Sequence, residues 1–221
     1  MRFSSFIPNT LTLLNAFSGC MALLSVVGQD YKMTLTWVLI GVFFDSIDGL
    51  FARGLKVTSE IGKQLDSLSD VISFGVVPGF FLNQYLSDNL PYDYVFLSPL
   101  GFLVTLAAVY RLARFNITPS SQLDFEGMPT PAFALFVVGI PYIPIKVNYE
   151  IILFITALLA LLMVSKQMLP SQKFVRGKPK AFALVFALIV IPVLLFYKAE
   201  ALSAVILSYG FFGAIYMRIK G

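Results

Sequence analysis

Histidine is absent from this chain of 221 residues, and cysteine occurs once, at Cys20. The first absence removes histidine nucleophiles, histidine general bases and histidine-ligated metals together. The second excludes an intramolecular disulfide framework. Charge is scarce too, with 13% of residues charged against 58% hydrophobic. No stretch reads as a soluble domain, an internal repeat or a low-complexity linker. The expected fold is an all-α integral membrane protein, a single transmembrane domain over residues 1–221. The formal net charge of +4 is a modest bias toward anionic lipid surfaces and gives no nucleic-acid signal.

Apolar stretches at 8–27, 32–53, 60–87, 94–116, 130–145, 149–165, 179–197 and 200–217 are the candidate spans, a bundle of about eight transmembrane helices. The fifth is short and interrupted by Pro141 and Pro144. With the amino terminus inside, thirteen of the sixteen Lys and Arg residues fall on the inner side, leaving Lys32, Lys146 and Lys198 outside. Seven spans would spoil that asymmetry, so eight spans with both termini cytoplasmic are expected. The sequence around Cys20 faintly matches a lipoprotein cleavage box, but the apolar run continues past it, which favours a retained first span. Beyond residue 146, two hydrophobic hairpins flank a basic loop, KQMLPSQKFVRGKPK, suited to anionic headgroups or simply to fixing topology.

One stretch stands apart from this apolar background. DSIDGLFARGLKVTSEIGKQLDSLSD, residues 45–70, holds Asp45 and Asp48 three apart and Asp66 and Asp70 four apart. On helices both spacings put the paired carboxylates on one face. Carboxylates inside membrane helices are costly, and they face a partner or a water-filled cavity. With only Arg53, Lys56 and Lys63 nearby, four of them would repel one another unless something cationic sat between them. Two divalent metal ions answer that need, and hard oxygen ligands point to Mg²⁺, Mn²⁺ or Ca²⁺ rather than zinc. Salt bridges within a bundle are the plainer reading, but matching intramembrane bases are lacking. Gly49 and Ala52 leave room beside the first pair for a large ligand. Arg53 offers a forked donor suited to a diphosphate, and Gly62 clears the helix face one turn before Asp66. A cation transporter is a reading from another class; it would spread acids along the bilayer normal rather than cluster them at one side.

The spacing Asp45-x2-Asp48-Gly49-x2-Ala52-Arg53-x8-Gly62-x3-Asp66-x3-Asp70 resembles, at every signature position, the CDP-alcohol phosphotransferase family of membrane lipid-synthesis enzymes. The resemblance covers residues 5–135, which would carry both the signature and the acceptor site. It implies a six-helix core, here followed by two carboxy-terminal spans, and a homodimer. It also implies that Asp45, Asp48, Asp66 and Asp70 hold two Mg²⁺ or Mn²⁺ ions, with Asp70 serving as general base. The segment IPNTLTLLNAFSG is similar to the family's first helix, which places Pro8, Asn9 and Thr10 at the CDP-lipid with Gly49, Ala52, Arg53, Ser59 and Gly62. Free N–H groups at a helix start suit that role. Helix capping is the plainer role for Asn9, Thr10 and Ser59.

Three features resemble the phosphatidylserine synthase branch in particular. Asn15 stands where the phosphatidylglycerophosphate-forming branch usually carries arginine, VISFGVVPG follows Asp70, and RLARFN precedes GMPTPA. They imply an acceptor bearing a carboxylate. Arg111 and Arg114, three apart at the end of the fourth span, would form its receptor, with Asn15 and Asn116 alongside. Snorkelling anchors are the ordinary reading of such arginines. Gly127, Pro129 and Pro131 would shape the following turn. The implied reaction moves a phosphatidyl group from CDP-diacylglycerol, or an archaeal CDP-ether lipid, to the hydroxyl of L-serine, releasing CMP at the cytoplasmic side of the cell membrane. Glycerol 3-phosphate and inositol phosphate are the rival acceptors, and their dianions would favour a denser basic pocket.

Overall fold

The computed structural model describes residues 6–54, 59–117, 125–144, 147–169, 174–175, 178–179 and 202–220. The chain forms two compact units, Met1–Thr118 and Pro119–Gly221.

In the first unit, α1 (Phe6–Val27) and α2 (Tyr31–Gly54) form a hairpin. Its turn is tight: Gln29 takes a left-handed φ of 55°, and Asp30 caps α2 by accepting the Met33 N–H at 2.9 Å. The buried stripe of α1 is Pro8, Thr12, Asn15, Ser18, Gly19, Ala22 and Val26. Small and polar residues make such interfaces in lipid, where apolar bulk gives helices no preference for one another over the acyl chains. Phe17, Leu24, Phe43 and Leu50 remain exposed, as lipid-facing residues do.

A long helix, Glu60–Asn89, comes next in three parts. These are α3 (Glu60–Asp70), a π-helical turn over Val71–Val76, and α4 (Val77–Asn89). It is the centre of the unit, with 61% of its apolar stretch buried against 28 to 33% for the other long helices. The fourth, Tyr92–Ile117, opens as 3₁₀ helix over Tyr92–Phe102, where Pro99 removes an amide donor, and continues as α5 (Leu103–Ile117). Glycines set the approach of these two helices. A Cβ on Gly79 would collide with the Thr105 hydroxyl, one on Gly101 would lie 2.6 Å from the Asn83 nitrogen, and one on Gly75 would lie 3.2 Å from Ala108. The SFGVVPG run is thus a packing element. Regular helix was expected throughout 60–87 and 94–116; the π turn and the 3₁₀ segment are departures that side-chain periodicity does not register.

These four helices are long and apolar enough to cross a membrane, and the chain is a multi-pass membrane protein. The second unit holds shorter helices: α6 (Thr130–Gly139) running into a 3₁₀ turn at Ile140–Tyr142, α7 (Tyr149–Val164) and α8 (Leu202–Lys220). Pro141 lies in that 3₁₀ turn, where the break was expected. The helix α6 packs on α8, and the Ser203 hydroxyl donates to the Phe136 carbonyl at 3.0 Å. Gly127 shapes the turn before α6. Its φ is +69°, its N–H donates to the Gln167 carbonyl at 2.9 Å, and a Cβ there would collide with the Met163 carbonyl. Among the described residues the only strands are two antiparallel pairings of two residues each, Phe125–Glu126 with Met168–Leu169 and Phe174–Val175 with Lys178–Pro179. Beyond Pro179, the expected seventh span at 179–197 lies outside the described residues.

Candidate active site

Helical spacing brings Asp45 and Asp48 to one face of α2, and Asp66 and Asp70 to one face of α3. The hairpin and α3 then press these faces together. One oxygen from each of Asp45, Asp48 and Asp66 lies within 4.8 Å of the other two. Asp70 lies beside Asp45 and Asp66. Asp48 and Asp70 are buried, at 5% and 8% exposure. Carboxylate oxygens this close carry like charge out of water, and the donor set is all oxygen in a chain without histidine. That arrangement fits a hard divalent cation such as Mg²⁺ or Mn²⁺.

The first helix supplies neutral donors to both acid pairs. The Thr12 hydroxyl donates to Asp48 Oδ2 at 2.7 Å, and Asn15 Nδ2 donates to Asp70 Oδ1 at 3.1 Å. Asn15 is fully buried, its backbone carbonyl accepts the Ser73 hydroxyl at 2.9 Å, and among the described residues its Oδ1 has no hydrogen-bond partner.

Several residues expected at the CDP-lipid meet where α1 and α3 begin. Ser59 caps α3 by accepting the Gly62 N–H at 2.9 Å. A Cβ on Gly62 would lie 2.9 Å from that hydroxyl oxygen and 3.1 Å from Asn9 Oδ1. Asn9, Ser59 and Gly62 therefore share one small polar corner. Pro8 is buried behind it, while Thr10 is exposed and donates to the Phe6 carbonyl at 2.9 Å. Gly49 is half-buried on α2. The side chains of Ala52 and Arg53 lie outside the described residues.

On the other side of α3, Asn116 ties down the end of α5. Its Oδ1 accepts the Ser67 hydroxyl at 2.9 Å, and its carbonyl accepts Lys63 Nζ. The contacts Asn83 with Gly101, Gly79 with Thr105, Gly75 with Ala108 and Ser67 with Asn116 show the two helices running antiparallel. That register brings Arg111, buried at 7% exposure, and the half-buried Arg114 level with the segment from Ser73 to Asp70. The expected acceptor residues and the expected base thus sit at one height in the bundle. Thr12, Ser67 and Ser73 also take part, beyond the residues the sequence singles out. The available signal for Thr12 was its place three residues before Asn15, in a polar stripe of an otherwise apolar helix.

A family model described as CDP-alcohol phosphatidyltransferase matches residues 5–216. The chain belongs to this family. All the residues of the acid cluster, the polar corner and the arginine face lie within the match. Among curated relatives, the chain is 32% identical over 224 residues to the CDP-diacylglycerol–serine O-phosphatidyltransferase of Helicobacter pylori, covering 96% of this chain and 92% of the relative. It is 31% identical over 175 residues to the Bacillus subtilis protein of the same name, covering 76% and 92%. It is 36% identical over 138 residues to the archaetidylserine synthase of Methanothermobacter thermautotrophicus, covering 61% and 58%.

Proposed function

We propose that this CDP-alcohol phosphatidyltransferase transfers the phosphatidyl group of CDP-diacylglycerol, or of an archaeal CDP-ether lipid, to the hydroxyl of L-serine. The observation that carries the reading is the convergence of Asp45, Asp48 and Asp66 within 4.8 Å, with Asp70 beside them and the arginine-bearing face of α5 at the same level. The serine acceptor is supported by relatives named for that reaction.

Asp45, Asp48, Asp66 and Asp70 would together hold two divalent ions, Mg²⁺ or Mn²⁺, which when bound offset the charge of the diphosphate and of departing CMP. Pro8, Asn9, Thr10, Ser59 and Gly62 bind the nucleotide end of the donor. Gly49 and Ala52 leave it room, and Arg53 holds phosphate oxygens. Arg111 and Arg114 receive the serine carboxylate, with Asn116 fixing the end of their helix and Asn15 steadying Asp70 from the far side. Asp70 takes the hydroxyl proton as the serine oxygen bonds to the lipid-bearing phosphorus and the bond to CMP breaks. Eight spans with both termini cytoplasmic would put this site at the cytoplasmic face, because thirteen of sixteen basic residues then lie inside. A single transmembrane domain over residues 1–221 and a homodimer complete the proposal.

The test is CMP release by the full chain in nanodiscs, with a CDP-lipid and Mg²⁺ or Mn²⁺. L-serine, glycerol 3-phosphate and inositol phosphate are compared as acceptors. Release that requires both metal and serine, with a serine-headgroup lipid formed, supports the proposal. Release only with a phosphorylated acceptor overturns the roles of Arg111 and Arg114, and metal-independent release overturns the role of the acid cluster.

A further inference from the structure

The Thr12 hydroxyl bonds to a member of the three-acid cluster, and this bond is not needed to satisfy it. Its oxygen also lies 3.0 Å from the Pro8 carbonyl, one helical turn earlier, so an acceptor is available within α1 itself. The approach to Asp48 Oδ2 is the shorter, at 2.7 Å, in the range of a hydroxyl donating to a charged oxygen. Both residues are buried, Thr12 at 4% and Asp48 at 5% exposure. A β-branched side chain has few χ1 choices in a helix, so the hydroxyl is held where it stands. A fixed donor on one carboxylate oxygen restrains rotation of the whole carboxylate, and so fixes the direction in which Asp48 presents itself to Asp45 and Asp66. Asn15, one turn further along the same face of α1, makes the parallel contact with Asp70. Each acid pair thus has one member tethered to α1.

We infer that Thr12 is a positioning residue that orients Asp48 for cation binding, an assignment that rests on the metal reading of the acid cluster. A donor that holds a metal-ligating carboxylate in place commonly contributes 10- to 100-fold in metal affinity. Thr12→Val keeps the branched shape and removes the hydroxyl, while Thr12→Ser keeps the hydroxyl and removes a methyl.

The experiment titrates Mn²⁺ into the full chain in nanodiscs without substrate and follows the free ion by electron paramagnetic resonance. Thr12→Val is expected to raise the half-saturating Mn²⁺ concentration about 10-fold, and Thr12→Ser to stay near wild type. In an Asp48→Asn background the valine substitution should add no further loss, because the carboxylate it acts through is gone. If the valine variant does not fold, Thr12→Ala set against Thr12→Ser carries the same comparison. Equal Mn²⁺ binding by wild type and Thr12→Val overturns the inference alone, as does a full additional loss in the Asp48→Asn background. A folded wild-type chain that takes up no Mn²⁺ overturns the metal reading, and the inference falls with it.

Discussion

Adding one carbon at Gly62 should separate donor binding from acceptor binding. The Cβ of Gly62→Ala would lie 2.9 Å from Ser59 Oγ and 3.1 Å from Asn9 Oδ1, and the first of these is shorter than real Cβ contacts allow. Ser59 must therefore rotate away, giving up the hydrogen bond by which it caps α3. Loss of such a cap costs about 1 kcal/mol. Asn9 must give by a few tenths of an ångström, and if its amide contacts the nucleotide, a misdirected hydrogen bond loses roughly another 1 kcal/mol. The cap loss falls on the stability of α3, while the Asn9 contact acts on binding, where about 1 kcal/mol corresponds to about a 5-fold change in the equilibrium. The assay is CMP release in nanodiscs, with the CDP-lipid varied at saturating serine and serine varied at saturating CDP-lipid. The KM for the CDP-lipid should rise by about that factor, while the KM for serine stays within about twofold, since Arg111 and Arg114 lie on a different helix. An unchanged KM for the CDP-lipid, or an equal rise for both substrates, would refute the assignment of the Asn9, Ser59 and Gly62 corner to the nucleotide.

Asp66→Asn removes one of the three clustered oxygens' charges and should abolish turnover and weaken Mn²⁺ uptake; near-wild-type turnover would sink the metal reading. Arg111→Ala should raise the serine requirement far more than the CDP-lipid requirement, and kinetics in both substrates decide it. Gly127→Ala forces a left-handed φ on a residue with a Cβ and drives that carbon into the Met163 carbonyl. About 2–5 kcal/mol of destabilisation follows from the two effects together. A thermal-shift comparison should show a clear fall in melting temperature.

Much of this was legible because lipid imposes strong rules. Long apolar runs marked the first four spans to within a few residues, and the acid spacing paired Asp45 with Asp48 and Asp66 with Asp70, each on one helix face. Pro141 announced the end of α6. Other features left no periodic trace. A π turn is built from the same residue types as an α turn, so VISFGV reads as ordinary helix. Thr12 reads as one more threonine in TLTLL, since its significance comes from Asp48, 36 residues away. The structure adds that Asn15, fully buried, has its amide on Asp70, a contact that no spacing encodes. Asn116 likewise shows its two bonds to α3 only in three dimensions.

The π turn bears on how α5, with its arginines, docks against the helix that carries Asp70. In a regular α-helix Gly75, five residues after Asp70, would point well away from it, because five steps of 100° overshoot a full turn. A π turn closes over five residues, so Gly75 comes nearly above Asp70. Gly75 is where Ala108 packs, so closely that a Cβ on Gly75 would lie 3.2 Å from it. Since α5 runs antiparallel to the long helix, one further turn along it, from Ala108 to Arg111, moves back toward Asp70. The wide turn therefore rotates the docking surface of α5 onto the side of the helix that carries the carboxylate. Its geometry is held from both flanks, by the Ser73 hydroxyl on the Asn15 carbonyl and by the Thr105 hydroxyl on the Gly75 carbonyl, each at 2.9 Å. A helix of uniform pitch could carry the same acids and the same glycines, but α5 would dock on a different face of it.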